Sequence, residues 1–256
     1  MNFEIIDFHT HPFIEEIDNI NRYTANAPMS TKIFAEDLAE CGISRFAGSV
    51  ICRRSDYLTA MLDANAHAIK LRDIYGDRYI PGFMVDANHV KESKAAIDTA
   101  RKEGIRLIGE LIPTGMGWNF TDEGFREILD YARSDEFVIS MHSNEDVENM
   151  EMVAADYPEL SFVFAHPGEQ KRLTKHISAM KRHKNVYLDL SGTGLFRYGM
   201  LKHLVDEVGA EKILFGTDHP VCNPAMYVAG VMLEKLTDDE KALIFSQNAK
   251  RLLGIQ

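Results

Sequence analysis

Residues 161–190 read SFVFAHPGEQKRLTKHISAMKRHKNVYLDL, and this stretch decides the fold. It begins with an apolar, β-prone run over 161–166, continues with a segment of helical character over 170–182, and ends on a second apolar run over 186–190. Strands that are nearly continuous in hydrophobic residues are typical of parallel sheets, in which both faces of a strand are buried. The stretch therefore predicts a strand, a helix and a second strand parallel to the first.

The same alternation runs through the rest of the 256 residues. The predicted strands are Phe3–His9, Arg45–Ile51, Tyr79–Val85, Arg106–Leu111, Phe137–His142, Ser161–His166, Val186–Leu190 and Ile213–Thr217. The predicted helical segments are Ser55–Tyr75, Lys91–Glu103, Asp122–Arg133, Glu145–Tyr157, Gln170–Arg182, Leu201–Val208 and Asp238–Leu253. Eight strands alternating with helices predict an α/β fold, a (β/α)8 TIM barrel that forms a single domain over residues 1–256. A doubly wound open sheet is the alternative, although no glycine-rich nucleotide motif follows a strand.

Composition narrows the class of protein. The chain carries 28 Lys and Arg against 39 Asp and Glu, a net charge of −11, and 45% of its residues are hydrophobic. These values predict a globular protein with a large core and disfavour a nucleic-acid partner. No apolar run approaches the ~18 residues of a membrane span, residues 1–12 lack the pattern of a secretory signal, and the three cysteines have no CxxC spacing. We therefore expect a cytoplasmic protein with a small-molecule substrate and, by default, a homo-oligomer.

One long irregular segment, residues 13–30, follows the first predicted strand. Its length of about 18 residues exceeds that of an ordinary loop, which favours a lid or substrate loop. A structural insertion without a role at the site is the alternative.

Ionisable residues stand where several predicted strands end. The first strand runs into Asp7-Phe8-His9-Thr10-His11, in which His9 and His11 share a face because alternate residues of a strand point the same way. Later strands end on Glu110, His142, His166 and Asp218. Active sites of TIM barrels lie at the carboxyl ends of the strands, and buried ionisable groups need partners. We therefore expect these side chains to share a ligand, such as a divalent metal ion.

The remaining histidines fall into two groups. His67, His176, His183 and His203 lie in helical patterns beside charged residues, and we expect them to be solvated. His89 and His219 lie in loops after the third and eighth strands, where each could reach a substrate or make an ordinary loop hydrogen bond.

Five segments together resemble the amidohydrolase superfamily, and most closely its amidohydrolase-related branch of metal-dependent barrel hydrolases and decarboxylases. The segments are DFHTHP (7–12), MHSN (141–144), FAHPG (164–168), FGTDHP (215–220) and SQNAKRLLG (246–254). The resemblance implies that His9, His11, His142 and Asp218 are metal ligands. It also implies that His166 binds a second metal ion or contacts the substrate or the attacking water.

Glu110 departs from the commonest patterns of that superfamily, in which a carboxylated lysine or no carboxylate ends the fourth strand. The Ile108-Gly109-Glu110 sequence resembles instead the metal-bridging glutamate of the TatD-like deoxyribonucleases of the same superfamily. This resemblance favours two metal ions bridged by Glu110. The alternative is that Glu110 only hydrogen-bonds a water molecule or positions a histidine.

The resemblance favours a metal-dependent hydrolase that cleaves a small-molecule ester, lactone, amide or related bond. Asp218 would accept the proton of the attacking water and pass it to the leaving group, and His166 would act beside it. Zinc suits histidine and carboxylate ligands, with manganese, iron or cobalt as alternatives. Competing hypotheses are a non-oxidative decarboxylase of an aromatic or unsaturated carboxylate, a TatD-like phosphodiesterase or nuclease, and a binding protein with a structural metal.

Three further residues are candidates for substrate binding. Arg197 and Arg53 could each pair with an anionic group, and Trp118 could form an apolar wall. A surface position for the arginines and core packing for the tryptophan are the alternatives.

Overall fold

The computed structural model describes residues 3–21, 29–143 and 146–256. Eight parallel strands form one sheet in which the order in space follows the order in sequence. The strands are β1 (Ile6–Asp7), β2 (Arg45–Ser49), β3 (Tyr79–Phe83), β4 (Leu107–Leu111), β5 (Val138–His142), β6 (Ser161–Ala165), β7 (Val186–Asp189) and β8 (Ile213–Leu214). Every predicted strand is therefore present, with its ends shifted by a few residues.

Hydrogen bonds between the segments that follow β8 and β1 close this sheet. The Phe8 N–H donates to the Phe215 carbonyl and the Asp218 N–H donates to the His9 carbonyl, each over 2.8 Å. Thr10 also forms a parallel bridge with His219. The first and last strands are thus joined, which confirms the predicted barrel and excludes the open sheet.

Helices connect the strands, as the sequence predicts. They are α1 (Thr31–Glu40), α2 (Tyr57–Tyr75), α3 (Val90–Glu103), α4 (Pro113–Met116), α5 (Glu123–Ala132), α6 (Val147–Asp156), α7 (Gln170–Arg182), α8 (Met200–Val208), α9 (Pro224–Met232), α10 (Asp238–Ala242) and α11 (Asn248–Leu253). A π-helical turn over Leu243–Gln247 joins α10 to α11 and completes the predicted closing helix.

The predicted segments did not include α1, α4 or α9. The predicted helix start at Glu145 lies outside the described residues. None of the described helices has the length and apolarity needed to cross a membrane.

One apolar cluster draws on every strand of the barrel. Its buried members include Ile6, Ala47, Leu107, Val138, Val163 and Leu214 of the strands and Ala249, Leu252 and Leu253 of α11, and the partly buried Ile80 of β3 and Tyr187 of β7 pack against it. A second and larger cluster packs the sheet against the surrounding helices. The strands are therefore apolar along their length, and the ionisable residues follow at their carboxyl ends.

The predicted lid, residues 13–30, is described only in part, because residues 22–28 lie outside the described residues. In the described part, Phe13 is buried and a short 3-10 turn spans Glu16–Asp18. Asp18 at the end of that turn is also buried. The start of this segment is therefore packed against the body of the barrel.

Candidate active site

His9 and His11, directly after β1, face each other through their Nε2 atoms, which lie 3.2 Å apart. The other nitrogen of each ring is held by an oxygen. His9 Nδ1 lies 2.9 Å from Asp189 Oδ2, and His11 Nδ1 lies 3.1 Å from the Ser49 carbonyl oxygen. When each Nδ1 donates its hydrogen, each Nε2 presents a lone pair to the same space. This arrangement suits two nitrogen ligands of one cation.

Glu110 lies between two pairs of histidines. Its Oε2 atom is 3.4 Å from Nε2 of both His9 and His11. Its Oε1 atom is 2.7 Å from Nδ1 of His142 and 3.1 Å from Nε2 of His166. Each carboxylate oxygen therefore faces a different pair of imidazoles.

Asp218 completes the cluster from the segment after β8. Its Oδ1 atom lies 3.4 Å from His11 Nε2 and 3.8 Å from His9 Nε2. Asp218 and His166 are also the two described non-glycine residues with positive φ, both at 65°. Residues other than glycine rarely adopt this left-handed backbone conformation, because it costs free energy. Such residues are typical of functional sites. His166 directly follows β6, and Asp218 lies four residues beyond the end of β8.

The histidines and carboxylates of the cluster shift one another's pKa values. Burial alone would lower the pKa of His9, but the Asp189 and Glu110 carboxylates raise it well above its usual value. Burial is likewise outweighed at His11, whose pKa rises to about 9 through hydrogen bonds with Asp218 and Glu110. For Glu110, burial would raise the pKa, but the charges of His9 and His166 hold it well below its usual range. The carboxylates thus attract positive charge, which a divalent cation can supply in place of histidine protons.

The donor set fits a metal centre. Two groups of residues bring their ligand atoms within 4.8 Å of one another, His9 with His11 and Asp218, and His9 with Glu110 and His166. All six metal-ligand candidates of the sequence therefore meet, since His142 contacts both Glu110 and His166. Imidazole nitrogens and carboxylate oxygens are the donors that zinc, manganese, iron and cobalt accept.

Asp189 and Ser191, at and after the end of β7, were missed by the sequence prediction. The Ser191 hydroxyl lies 3.0 Å from His166 Nδ1 and 3.1 Å from His9 Nδ1, and it donates a short hydrogen bond to Asp189. Burial would raise the pKa of Asp189, but the His9 charge lowers it, so the carboxylate is ionised beside His9. The sequence does carry a signal for Asp189, because it is an acidic residue next to the end of the predicted seventh strand, Val186–Leu190.

In the described parts of the chain, the structure does not bring the three predicted substrate contacts to this cluster. Arg197 pairs with Glu169 on the surface, where both side chains are 59% exposed. The Arg53 side chain is exposed, and its backbone N–H donates to Asp18. Trp118 is buried against Phe120 and Phe125, so it packs in the core rather than facing a substrate. Core packing is the alternative that the sequence analysis gave for Trp118.

Two of the helical histidines differ from the prediction. His67 and His176 were expected to be solvated, and both are buried. His176 lies on the inward face of α7 with Leu173 and Ile177, where helical spacing outweighs the charged neighbours in sequence. His203 is exposed, as predicted.

The chain matches known proteins in family and in fold. A family model described as Amidohydrolase matches residues 6–255. Comparison with curated protein sequences finds no match. Among solved structures, an uncharacterized TIM-barrel protein from Bordetella bronchiseptica is similar with a TM-score of 0.78 and 21% identity over 98% of each chain.

Two further solved structures share the fold. One is 5-carboxyvanillate decarboxylase from Novosphingobium aromaticivorans, complexed with manganese and 4-hydroxy-3-methoxy-5-nitrobenzoic acid. It has a TM-score of 0.72 and 15% identity over 99% of this chain and 96% of that chain. The other is 2,6-dihydroxybenzoate decarboxylase from Rhizobium, with a TM-score of 0.68 and 14% identity over 98% and 99%.

Proposed function

We propose that this chain, which belongs to the amidohydrolase family, is a metal-dependent hydrolase that cleaves an ester, lactone, amide or related bond of a small molecule. The observation that carries the proposal is the placement of Glu110, whose two oxygens face different histidine pairs. A bridging carboxylate between two cations needs this arrangement. Two cations in turn favour the activation of water, the chemistry of hydrolysis.

The residues would divide between two divalent ions, of which zinc is the leading candidate. His9, His11 and Asp218 would hold one ion, His142 and His166 the other, and Glu110 would bridge them. When bound, such ions polarise the bond under attack and lower the pKa of water from its bulk value towards about 7.

The chain's own groups handle the proton. Asp218 is a carboxylate at the edge of the cluster, and it would accept the proton of the attacking water and deliver it to the leaving group. The two histidine rings beside Asp218 are held in place by other residues. Asp189 orients the ring of His9, and the Ser49 carbonyl orients the ring of His11. Ser191 performs the same task for His166. Such partners keep each ligand nitrogen aimed at the site.

An apolar cavity of about 180 Å³ lies where β2, β3 and β4 end, and it favours a substrate with an apolar group. Its lining includes Val50, Met61, Met84, Ile112 and Met116. Val50 directly follows Ser49, and Ile112 is two residues beyond Glu110. The cavity therefore adjoins the strand ends that carry the cluster, where the apolar part of a substrate would be bound.

Decarboxylation of an aromatic carboxylate is the second candidate. Two solved structures with this fold are decarboxylases of substituted benzoates. The apolar cavity offers room for an aromatic ring as well as for an acyl chain. One ion per chain, with Glu110 outside its coordination sphere, would favour this reaction.

The experiment counts ions and tests both reactions on the same preparation. Protein depleted of metal is reloaded with zinc, manganese or cobalt, and its metal content is measured. Each form is then given a panel of esters, lactones, amides and phosphoesters, and a panel of hydroxybenzoates assayed for CO₂ release. The proposal expects two ions at the histidine cluster and hydrolysis that is lost on depletion. One ion at the cluster together with CO₂ release would replace it with the second candidate.

A further inference from the structure

A second group of metal-ligating side chains lies where the segment after β1 meets the segment between β2 and α2. It consists of Asp18, Cys52 and His67, and it shares no residue with the histidine cluster of the active site. All three are buried, and their ligand atoms lie within 4.8 Å of one another. We infer that Asp18, Cys52 and His67 form a separate binding site for one divalent cation of the zinc type.

The distances suit a shared cation. Cys52 Sγ lies 3.6 Å from His67 Nδ1, and His67 Nδ1 lies 3.8 Å from Asp18 Oδ2. A tetrahedral zinc ion with a Zn–S bond of about 2.3 Å and a Zn–N bond of about 2.05 Å separates sulfur and nitrogen by about 3.6 Å. The corresponding nitrogen–oxygen separation is about 3.3 Å. The sulfur and nitrogen are therefore already in place, and Asp18 needs to move by a few tenths of an ångström.

Residues outside the trio lie against two of its members. Nε2 of His67 lies 3.9 Å from Glu15 Oε1, which is too far for a hydrogen bond. The nearby negative charge favours the tautomer with its hydrogen on Nε2, which leaves Nδ1 free to bind a metal. Asp18 Oδ1 accepts from the Arg53 N–H over 2.8 Å and from the Arg54 guanidinium over 2.8 Å. Because a carboxylate has about four lone-pair directions, Oδ2 keeps one for a cation even with Arg54 at 3.2 Å.

The excess of negative charge around the trio also favours a bound cation. Arg54 is surrounded by three carboxylates, Glu15 at 3.2 Å, Asp18 at 2.8 Å and Asp63 at 2.6 Å. With Cys52 protonated, one positive and three negative groups leave an excess of two negative charges. Burial raises the pKa of the Cys52 thiol to about 12, and the Asp18 charge acts in the same direction. A divalent cation would displace the thiol proton to solvent and form a metal–thiolate bond in its place.

The site would fasten the segment after His11 to α2. Asp18 belongs to the short turn after β1, Cys52 follows β2, and His67 lies within α2. A cation bound by all three would join parts of the chain that are otherwise held by the ion pairs of Arg54. The competing explanation is an ion-pair cluster with a Cys52–His67 hydrogen bond and no metal.

Cobalt substitution separates the two explanations. The active-site cluster offers only nitrogen and oxygen donors, so a near-ultraviolet cobalt–thiolate charge-transfer band can come only from a cysteine ligand. Full-length protein is stripped with a chelator and reloaded with Co²⁺, and its absorbance and metal content are measured. We expect the band in the wild-type protein, its loss in Cys52→Ser, and one fewer equivalent of cobalt in that variant. The matched control Cys222→Ser keeps the band and the metal content.

A second variant protects the test against misfolding of Cys52→Ser. His67→Gln keeps the thiol and should also lose one equivalent of cobalt, with a weakened or absent band. Absence of the band in cobalt-saturated wild-type protein overturns the inference. So does a band that persists in Cys52→Ser or disappears in Cys222→Ser.

Discussion

Two regions of the protein each bury a histidine, but the pKa values of these two histidines are shifted in opposite directions. His11 in the active-site cluster and His176 in α7 are both almost inaccessible. Burial lowers the pKa of both, yet the pKa of His11 rises to about 9 while that of His176 falls to about 3. His11 has the Asp218 and Glu110 carboxylates beside it, whereas His176 packs near Phe164 and the positive charge of Arg172. The neighbouring carboxylates, and not burial, therefore mark out the histidines that can hold a cation.

Removing the carboxylate that faces both histidine pairs should have the largest effect. Glu110→Gln keeps the shape of the side chain but loses its charge, which makes the surroundings of His9 and His11 more like those of His176. We expect a loss of at least about 10²-fold in metal affinity and about 10²–10³-fold or more in kcat. Metal content after dialysis and kcat on the best substrate of the panel measure this.

Glu169→Gln is the matched control for Glu110→Gln, because Glu169 is an exposed carboxylate paired with Arg197. It should leave both readouts unchanged. If Glu110→Gln retained the metal content of the wild-type protein and full activity, the bridging role would be wrong.

Asp189→Asn should have a smaller effect, since Asp189 acts through His9 rather than on the metal itself. Its carboxylate lies 2.9 Å from His9 Nδ1 and orients the ring. We expect a loss of about 10–100-fold in metal affinity, measured by competition with a chromophoric chelator. Asp135→Asn, which disturbs a surface pair with Arg101, provides the comparison and should leave metal affinity intact. Unaltered metal affinity in Asp189→Asn would contradict the positioning role.

His176→Leu tests whether the buried His176 stays uncharged in the folded protein, through the pH dependence of the free energy of unfolding. The folded-state pKa of about 3 lies below the usual value of 6.5 in the unfolded chain, so below pH 6.5 the unfolded state binds the extra proton. Stability is therefore lost as pH falls from 6.5 towards about 3, by about 2 kcal/mol at pH 5. His176→Leu should remove that part of the slope in urea denaturation at pH 7 and pH 5. The exposed His203→Leu should keep it, and an unchanged slope in His176→Leu would show that His176 titrates normally.

Arg197→Ala should have the smallest effect. Its ion pair with Glu169 lies on the surface, where solvent screens such pairs and they contribute little to stability. We expect unchanged kcat/KM and no measurable change in the free energy of unfolding. A large increase in KM for anionic substrates alone would instead restore Arg197 as a substrate contact and add a cationic residue to the site.

The barrel was predictable because its strands are buried on both faces and stand out as short apolar runs. The missed helices lack such a signal. The α9 sequence PAMYVAGVM is apolar almost throughout, so no polar face marks a helical period. In α1 only Phe34, Ala35 and Leu38 are buried, in a short helix that follows a long irregular segment.

The ligand candidates were predictable because histidine and carboxylate residues end apolar strands. Their supporting residues were not, because Asp189 and Ser191 gain their meaning from contacts with His9, which lies 180 residues away from Asp189 in sequence. The same holds for Cys52 and His67, which are unremarkable in sequence and meet Asp18 only in the folded chain. Tertiary contacts, which spacing does not reveal, decide such partnerships.

The seam between the last and first strands has a consequence for how the protein matures. His9 and Asp218 come from opposite ends of the chain, and the hydrogen bond from the Asp218 N–H to the His9 carbonyl is part of that seam. A growing chain that has reached residue 212 already contains His9, His11, Glu110, His142 and His166, but it has neither β8 nor Asp218. The complete set of candidate ligands therefore exists only after synthesis of the eighth strand and closure of the barrel. On the proposed ligand assignment, stable cation binding would thus coincide with the end of folding.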